Sequence, residues 1–345
     1  MKILVTGGTG FLGRRIVEKL LEREHLQGET VDLRCMVRDP ARASVIETLA
    51  QRFPSARVEL IQANLKHPAE VQAALADVDL VIHAAAALKG SPAEMFLDTV
   101  VAGRNLLDAI VAMARRPRVV LVSSFGVMAV ASLARGAVVD EDTPLETRPG
   151  ERDVYSHAKL RQELLFREYA ERFGLDLVVL RPGVIYGEGG GQMSNRVGLN
   201  LFGWFLHLGG NNLLPLTYVE NCAEAIVVAA LDPRAVGQVY CVVDDELPTA
   251  GEYLKLYRRK VKSMKTLRIP YGLLSWGSGL VERYHGRSKG QLPAIFTPYK
   301  TRAMWGGNRF SNARLKALGW EPRVRTADGL ERSFASFRAE PPKTL

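Results

Sequence analysis

Cysteine is scarce in this 345-residue chain. Cys35, Cys222 and Cys241 sit in apolar contexts without metal-ligand spacing, which argues against a disulfide framework and a zinc site. Buried free thiols in a reducing cytoplasm are expected instead. No stretch approaches the roughly 18 consecutive apolar residues of a membrane span. The start, MKILVTGG, carries one lysine and no cleavage-like region, and it already reads as a strand rather than a signal peptide. Internal repeats and low-complexity linkers are missing. So are zinc-finger spacing and aromatic RNA-binding signatures, so nucleic acid is not an expected partner.

What is present is the composition of a soluble globular protein, 47% hydrophobic and 24% charged, long enough for one large domain or two joined ones. The net charge of +9 is concentrated late, in Arg258, Arg259, Lys260, Lys262, Lys265 and Arg268, then Arg283, Arg287, Lys289, Lys300 and Arg302. Such a cluster attracts anionic substrates or an anionic membrane surface, or is simply a solvated basic face.

The first thirteen residues organise the chain. Ile3-Leu4-Val5 runs into a glycine-rich turn, Thr6-Gly7-Gly8-Thr9-Gly10-Phe11-Leu12-Gly13, and Ile16, Val17, Leu20 and Leu21 follow at helical spacing. Strand, tight turn and helix start are what a dinucleotide needs. Glycine lets the backbone approach the pyrophosphate, and the helix N-terminus offers free N–H groups to it.

Apolar strands then alternate with helical stretches. Strands are expected at Thr30–Val37, Val58–Ile61, Leu80–Ile82, Val119–Val122, Leu177–Leu180 and Gln238–Val243. Helices are expected at Ala41–Ala50, Val71–Leu75, Glu94–Arg115, Asp153–Phe173 and Glu220–Leu231. This alternation implies an α/β fold with a doubly wound parallel sheet. Residues 1–183 and about 219–245 form its dinucleotide-binding part; about 184–218 and 246–345 form a smaller, mixed substrate lobe. Beyond Thr249 the chain reads as short helices, one near Asn312–Leu318, mixed with loops. Ligands bind at the strand C-termini of such sheets. The glycine turn, Val37-Arg38, Ala63-Asn64-Leu65, His83-Ala84-Ala85-Ala86, Ser123-Ser124 and Arg181-Pro182-Gly183 all fall there.

Tyr155 and Lys159 stand four apart, on one face of a helix. An ammonium beside a phenol lowers its pKa from about 10 toward neutrality, which suits proton exchange in a carbinol–carbonyl reaction. The lysine can also hold a nicotinamide ribose. A strand-end serine would hydrogen-bond the reacting oxygen, and Ser124, the last residue before the chain turns away, is preferred to Ser123.

These motifs resemble the extended short-chain dehydrogenase/reductases, the NAD-dependent epimerase/dehydratase family. The resemblance rests on TGGTGFLG at 6–13, HAAA at 83–86, SS at 123–124, YSHAK at 155–159, RPGVIYG at 181–187 and TYVENCAEA at 217–225. It implies a Rossmann-type fold and hydride transfer with a nicotinamide cofactor. Tyr155 would be the acid/base, Lys159 its electrostatic partner and ribose anchor, and Ser124 the carbonyl polariser. The cofactor would meet Gly7, Thr9, Gly10, Phe11, Leu12 and Gly13, then Arg38, Asn64, Leu65, Ala84, Ala85 and Ala86. Pro182 and Val184 would lie against the nicotinamide. Departures from the family pattern are Asn64 for its aspartate, Thr99 for an asparagine that organises water, and Met128 and Ala129 after the serine. A homodimer through helices 94–115 and 153–173 would be usual.

An acid after the second strand would bind both ribose hydroxyls and favour NAD. Val37-Arg38 stands there instead, and a guanidinium pairs with a 2′-phosphate, so NADP is expected. NAD is the alternative, with Asp39 in the acid's role and Arg38 stacked on adenine. Gly209-Gly210-Asn211-Asn212 with Thr217 to Asn221 resembles the 3β-hydroxysteroid dehydrogenase branch. The apolar segments Leu199–Leu208 and Pro270–Val281 suit a greasy substrate or a lid, or simply pack the small lobe. The expected activity interconverts a secondary alcohol and a ketone on a hydrophobic, steroid-like, alicyclic or lipid-like small molecule. A nucleotide-sugar epimerase or dehydratase with retained cofactor is the alternative, and a non-catalytic NADP(H) sensor the third reading. Trp276 with Arg283 and Lys289 suggests peripheral membrane contact.

Overall fold

The structure is a computed structural model that describes residues 1–23, 32–287 and 297–339, and the backbone of 25–26 and 29–30. Lys289, from the late basic cluster, lies outside these residues.

Seven strands form one parallel sheet: β1 (Lys2–Thr6), β2 (Asp32–Val37), β3 (Arg57–Gln62), β4 (Leu80–His83), β5 (Arg118–Val122), β6 (Leu177–Pro182) and β7 (Val239–Val242). Their spatial order is 3-2-1-4-5-6-7, and every adjacent pair is parallel. This is the doubly wound Rossmann arrangement, with its order reversing between β1 and β4. The expected strands differ from the observed ones only at their ends. Thr30 falls in a two-residue pairing with His25–Leu26, ahead of β2.

Strand alternation places the two cores. Ile3 and Val5 of β1 face one side and Leu4 the other, and all three are fully buried. The helices α1 (Gly13–Leu21) and α4 (Val219–Leu231) cover the first side. On the second lie α2 (Ala102–Val111) and α3 (Val154–Phe173). Each such apolar side chain contributes about 1.5–3 kcal/mol by leaving water. The expected long helix 94–115 is a run of α-turns, Pro92–Phe96 and Ala102–Val111, joined by one π-turn at Leu97–Val101.

The smaller lobe sits beyond β6. An antiparallel hairpin, Gly198–Leu201 with Trp204–His207, is extended by the parallel strand Thr266–Arg268. Helices α5 (Ala250–Lys260) and Thr326–Ala339 meet over Tyr253, Tyr257 and Phe334. Thr249 and Glu252 form a capping box that starts α5. The tail is more helical than expected, because α6 runs unbroken from Tyr271 to Arg287.

Candidate active site at the carboxyl edge of the sheet

Since every strand of the seven-stranded sheet is parallel, all the motif segments emerge on one edge. At β1 the backbone turns back on itself, with the Gly10 N–H donating to the Gly7 carbonyl at 3.0 Å. Gly7 has φ +74, and a Cβ there would stand 2.9 Å from the Ala85 nitrogen. Only glycine meets both conditions. The turn and Ala84-Ala85-Ala86 therefore press together as a bare backbone cradle. The first turn of α1 has no side-chain cap and no acid; the Arg14 N–H donates to the Gly10 carbonyl and the Arg15 and Ile16 N–H groups to the Leu12 carbonyl, so an anion would sit at the helix entry, 11–13. Thr9 and Leu12 are half-buried along the turn. Phe11 stacks under the Arg14 guanidinium and touches the loop at Gly190, so 187–191 folds over the turn. These residues fit a dinucleotide pyrophosphate.

At the outer strands, Arg38 projects into solvent and pairs with Asp98 at 2.9 Å, while Lys66 takes the other oxygen of Asp98 at 3.0 Å. Asp98 lies on the π-turn. Asp39 is turned away as a cap, accepting from the Ala41 N–H. The Asn64 side chain closes a local turn onto the Lys66 N–H, and the Leu65 carbonyl receives the Asn105 amide.

At the centre, Asp153 caps α3 by accepting from the Ser156 N–H at 2.9 Å, and this sets Tyr155 and Lys159 on the first two turns. The Ser124 hydroxyl accepts from the Gly126 N–H at 3.1 Å and lies beside the Tyr155 phenol. Ser124 and Tyr155 are thus brought together. Ser123 is buried elsewhere, donating to Glu163 at 2.5 Å.

Lys159 departs from expectation. Its Nζ is buried and donates to the Val122 carbonyl at 2.6 Å and to Gln162 Oε1 at 2.5 Å. The ammonium points into the sheet, and the anticipated depression of the Tyr155 pKa is not found. Burial pushes the phenol up, opposed by the neighbouring Ser124 hydroxyl and reinforced by the Asp153 carboxylate. Burial also brings Lys159 down to about 7, despite the charge of Glu163. Gln162 then donates to His83 Nε2 at 3.1 Å and to the Thr99 carbonyl at 3.1 Å. His83, driven down to about 3 by burial and then by the Lys159 charge, is neutral and meets Thr6 Oγ1 through Nδ1 at 2.8 Å. Thr6, His83, Gln162 and Lys159 form one buried polar chain beneath the cradle.

The Thr99 hydroxyl accepts from the Ala87 N–H. Met128 and Ala129 are buried rather than facing a substrate, with Met128 packed beside Phe125 and Val127. Pro182 is buried at the end of β6, and half-buried Val184 follows, its N–H bonded to the Pro215 carbonyl at 2.6 Å. Sequence reasoning missed Gln162, Asp98 and Lys66, and also the Glu163–Arg181 pair, fully buried at 2.8 Å. A spacing of three from Lys159 was the available signal for Gln162.

A family model, the NAD dependent epimerase/dehydratase family, matches residues 3–242. The chain belongs to that family. It is 26% identical to 3beta-hydroxysteroid-dehydrogenase/decarboxylase isoform 1 of Arabidopsis thaliana, over 97% of this chain and 79% of the other. It is 36% identical to human 3 beta-hydroxysteroid dehydrogenase type 7 (Homo sapiens), over 70% of this chain and 68% of that one. The structure of UDP-glucuronic acid 4-epimerase from Bacillus cereus superposes with a TM-score of 0.70 at 20% identity, covering 98% and 99% of the two chains. At that identity the likeness concerns the fold. The family and its named dehydrogenases and reductases identify the chain as an NAD(P)-dependent enzyme.

Proposed function

We propose that the protein is an NADP(H)-dependent oxidoreductase that interconverts a secondary alcohol and a ketone on a hydrophobic small molecule. The observation that carries this reading is the placement of Ser124 beside Tyr155 at the sheet edge, with Lys159 one turn along the same helix. The glycine turn and Ala84 to Ala86 would hold the pyrophosphate, Lys159 the nicotinamide ribose, and Pro182 and Val184 the ring. When bound, the nicotinamide supplies or accepts the hydride. Tyr155 gives its phenolic proton to the substrate oxygen during reduction and takes it back during oxidation. Ser124 donates a hydrogen bond to that oxygen and orients it. The third donor of the Lys159 ammonium, beyond those used by Val122 and Gln162, would reach the ribose.

NADP is favoured over NAD because Arg38 and Lys66 converge on Asp98, where a 2′-phosphate would compete for both cations. Arg38→Ala should weaken NADPH binding by about tenfold or more and leave NADH binding nearly unchanged; equal loss for both would remove Arg38 from that role. For the hydrophobic substrate the support is the likeness to hydroxysteroid dehydrogenases, not the cleft beside the serine loop, which is small and mixes Phe125, Val130 and Phe310 with Arg196, Asn212 and Asn308. Arg196 is the one Lys or Arg among its lining residues, held down to about 10 by burial and then by Arg152. The names of the hydroxysteroid relatives agree with such a substrate. A homodimer through the 92–111 and 154–173 helices remains our reading, supported by Leu97, Val101 and Leu164 exposed on them; sedimentation of Leu97→Glu/Leu164→Glu should show monomers.

A further inference from the structure

We propose that the small lobe docks on an anionic lipid bilayer, through the tip of the 198–207 hairpin and the outer face of α6. Neither surface includes the residues assigned to the chemistry.

The hairpin tip is Leu201-Phe202-Gly203-Trp204. Phe202 and Gly203 have φ +47 and +79, a two-residue turn with both central residues in the left-handed region. Asparagine or glycine suits the first of these positions, whereas phenylalanine is strained there. Phe202 is also 94% exposed, with half-exposed Leu201 and Trp204 beside it. A residue that is unfavourable in both backbone and solvation gains nothing in the folded monomer. It gains when its ring leaves water.

The strand Thr266–Arg268 pairs with the second arm of this hairpin and leads through Ile269-Pro270 into α6. On α6, Leu273, Trp276, Leu280 and Tyr284 recur at helical spacing along one stripe, and all four are exposed, Trp276 at 66%. Ser278, on another face, is buried, and α6 packs against the helix Pro298–Trp305. The apolar stripe is thus the outward face, the reverse of the usual arrangement. Tryptophan and tyrosine are suited to the headgroup level of a bilayer. No described helix is long and apolar enough to cross a membrane, so this face lies on the surface of one.

Charge selects the occupant. Residues 255–287 hold nine Lys or Arg and one acid, Glu282, a formal +8 of the chain's +9. Lys262, Lys265 and Arg268 are exposed between the two outcrops, and Arg283 and Arg287 are exposed at the end of α6. Lys265 lies over the Trp204 ring at 5.8 Å, placing a cation at the edge of the apolar tip. A second copy meeting this face symmetrically would set like charges against each other. An anionic bilayer accepts both the cations and the apolar side chains.

The test is flotation of the full-length protein with vesicles of phosphatidylglycerol and, separately, of phosphatidylcholine. Binding to phosphatidylglycerol is expected, weakening with salt. Lys265→Gln and Arg268→Gln should each reduce it about fivefold, and Phe202→Asp with Trp276→Asp should abolish it. Both apolar residues are exposed, so these variants should keep the far-UV circular dichroism and NADPH binding of the parent. The proposal is overturned if the parent fails to bind phosphatidylglycerol, binds phosphatidylcholine equally, or binds undiminished as the double variant. It is equally overturned if the double variant's only effect is to dissolve a self-associated species, because the occupant is then a second copy.

Discussion

At the residue scale, the site depends on which way Lys159 points. In the free protein its ammonium is held by Val122 and Gln162, and burial takes it down to about 7. A ribose hydroxyl held by Lys159 as proposed, or a Tyr155 phenolate, would favour the charged lysine and raise that value in the complex. Cofactor affinity should therefore be highest below about pH 7 and fall as the pH rises through it. Fluorescence titration with NADH, which carries no titrating 2′-phosphate, measures this; Lys159→Met should bind more weakly at low pH and show no slope. Tyr155→Phe should abolish turnover, by at least 100-fold on the scale of a lost general acid (~10²–10⁴), while cofactor binding persists. Unchanged turnover would remove Tyr155 from the chemistry. The spacing of Tyr155 and Lys159 was legible because helix geometry fixes which side chains share a face. The direction of the ammonium was not, because its acceptors come from β5 and from a glutamine that only packing reveals.

At the element scale, α3 is tied to the sheet by Glu163. Its carboxylate receives Arg181 from β6, Ser123 from the end of β5 and Arg167 from its own helix. Burial opposes its charge, but Arg181, Ser123 and Arg167 outweigh burial and hold the carboxyl below its ordinary value. The stabilisation is present above the unfolded carboxyl value of about 4.5 and is lost as the pH falls through the depressed folded value. Glu163→Gln leaves the Arg181 guanidinium buried without its counterion and should cost about 3–5 kcal/mol in urea unfolding at pH 7. A loss well under 1 kcal/mol would mean that Arg181 finds another partner. The parallel strands were readable because strands covered on both faces are continuous apolar runs. The π-turn was not, since Leu97–Val101 reads as ordinary helix in sequence; it places Asp98 by Arg38 and Thr99 by Gln162. The length of α6 was hidden by Gly272, Gly277 and Gly279, which weaken helical propensity by about 1 kcal/mol each.

At the scale of the whole molecule, the parallel sheet gathers segments distant in sequence onto one edge. The order of the motifs made the fold and the family legible. The lobe beyond Val184, where we place substrate recognition, is less legible, because apolar pattern alone does not separate a pocket lining from an outward face. Leu273, Trp276 and Leu280 are the case in point: they suit a lid in sequence and stand in solvent in the structure. The most direct test of the central claim follows the absorbance of NADPH with purified enzyme, offering steroid-like ketones beside nucleotide sugars. The account predicts NADPH consumption matched by alcohol formation with a hydrophobic ketone, absent in Tyr155→Phe. Conversion of a nucleotide sugar with no net change in a retained cofactor, and no reaction with the ketones, would contradict it.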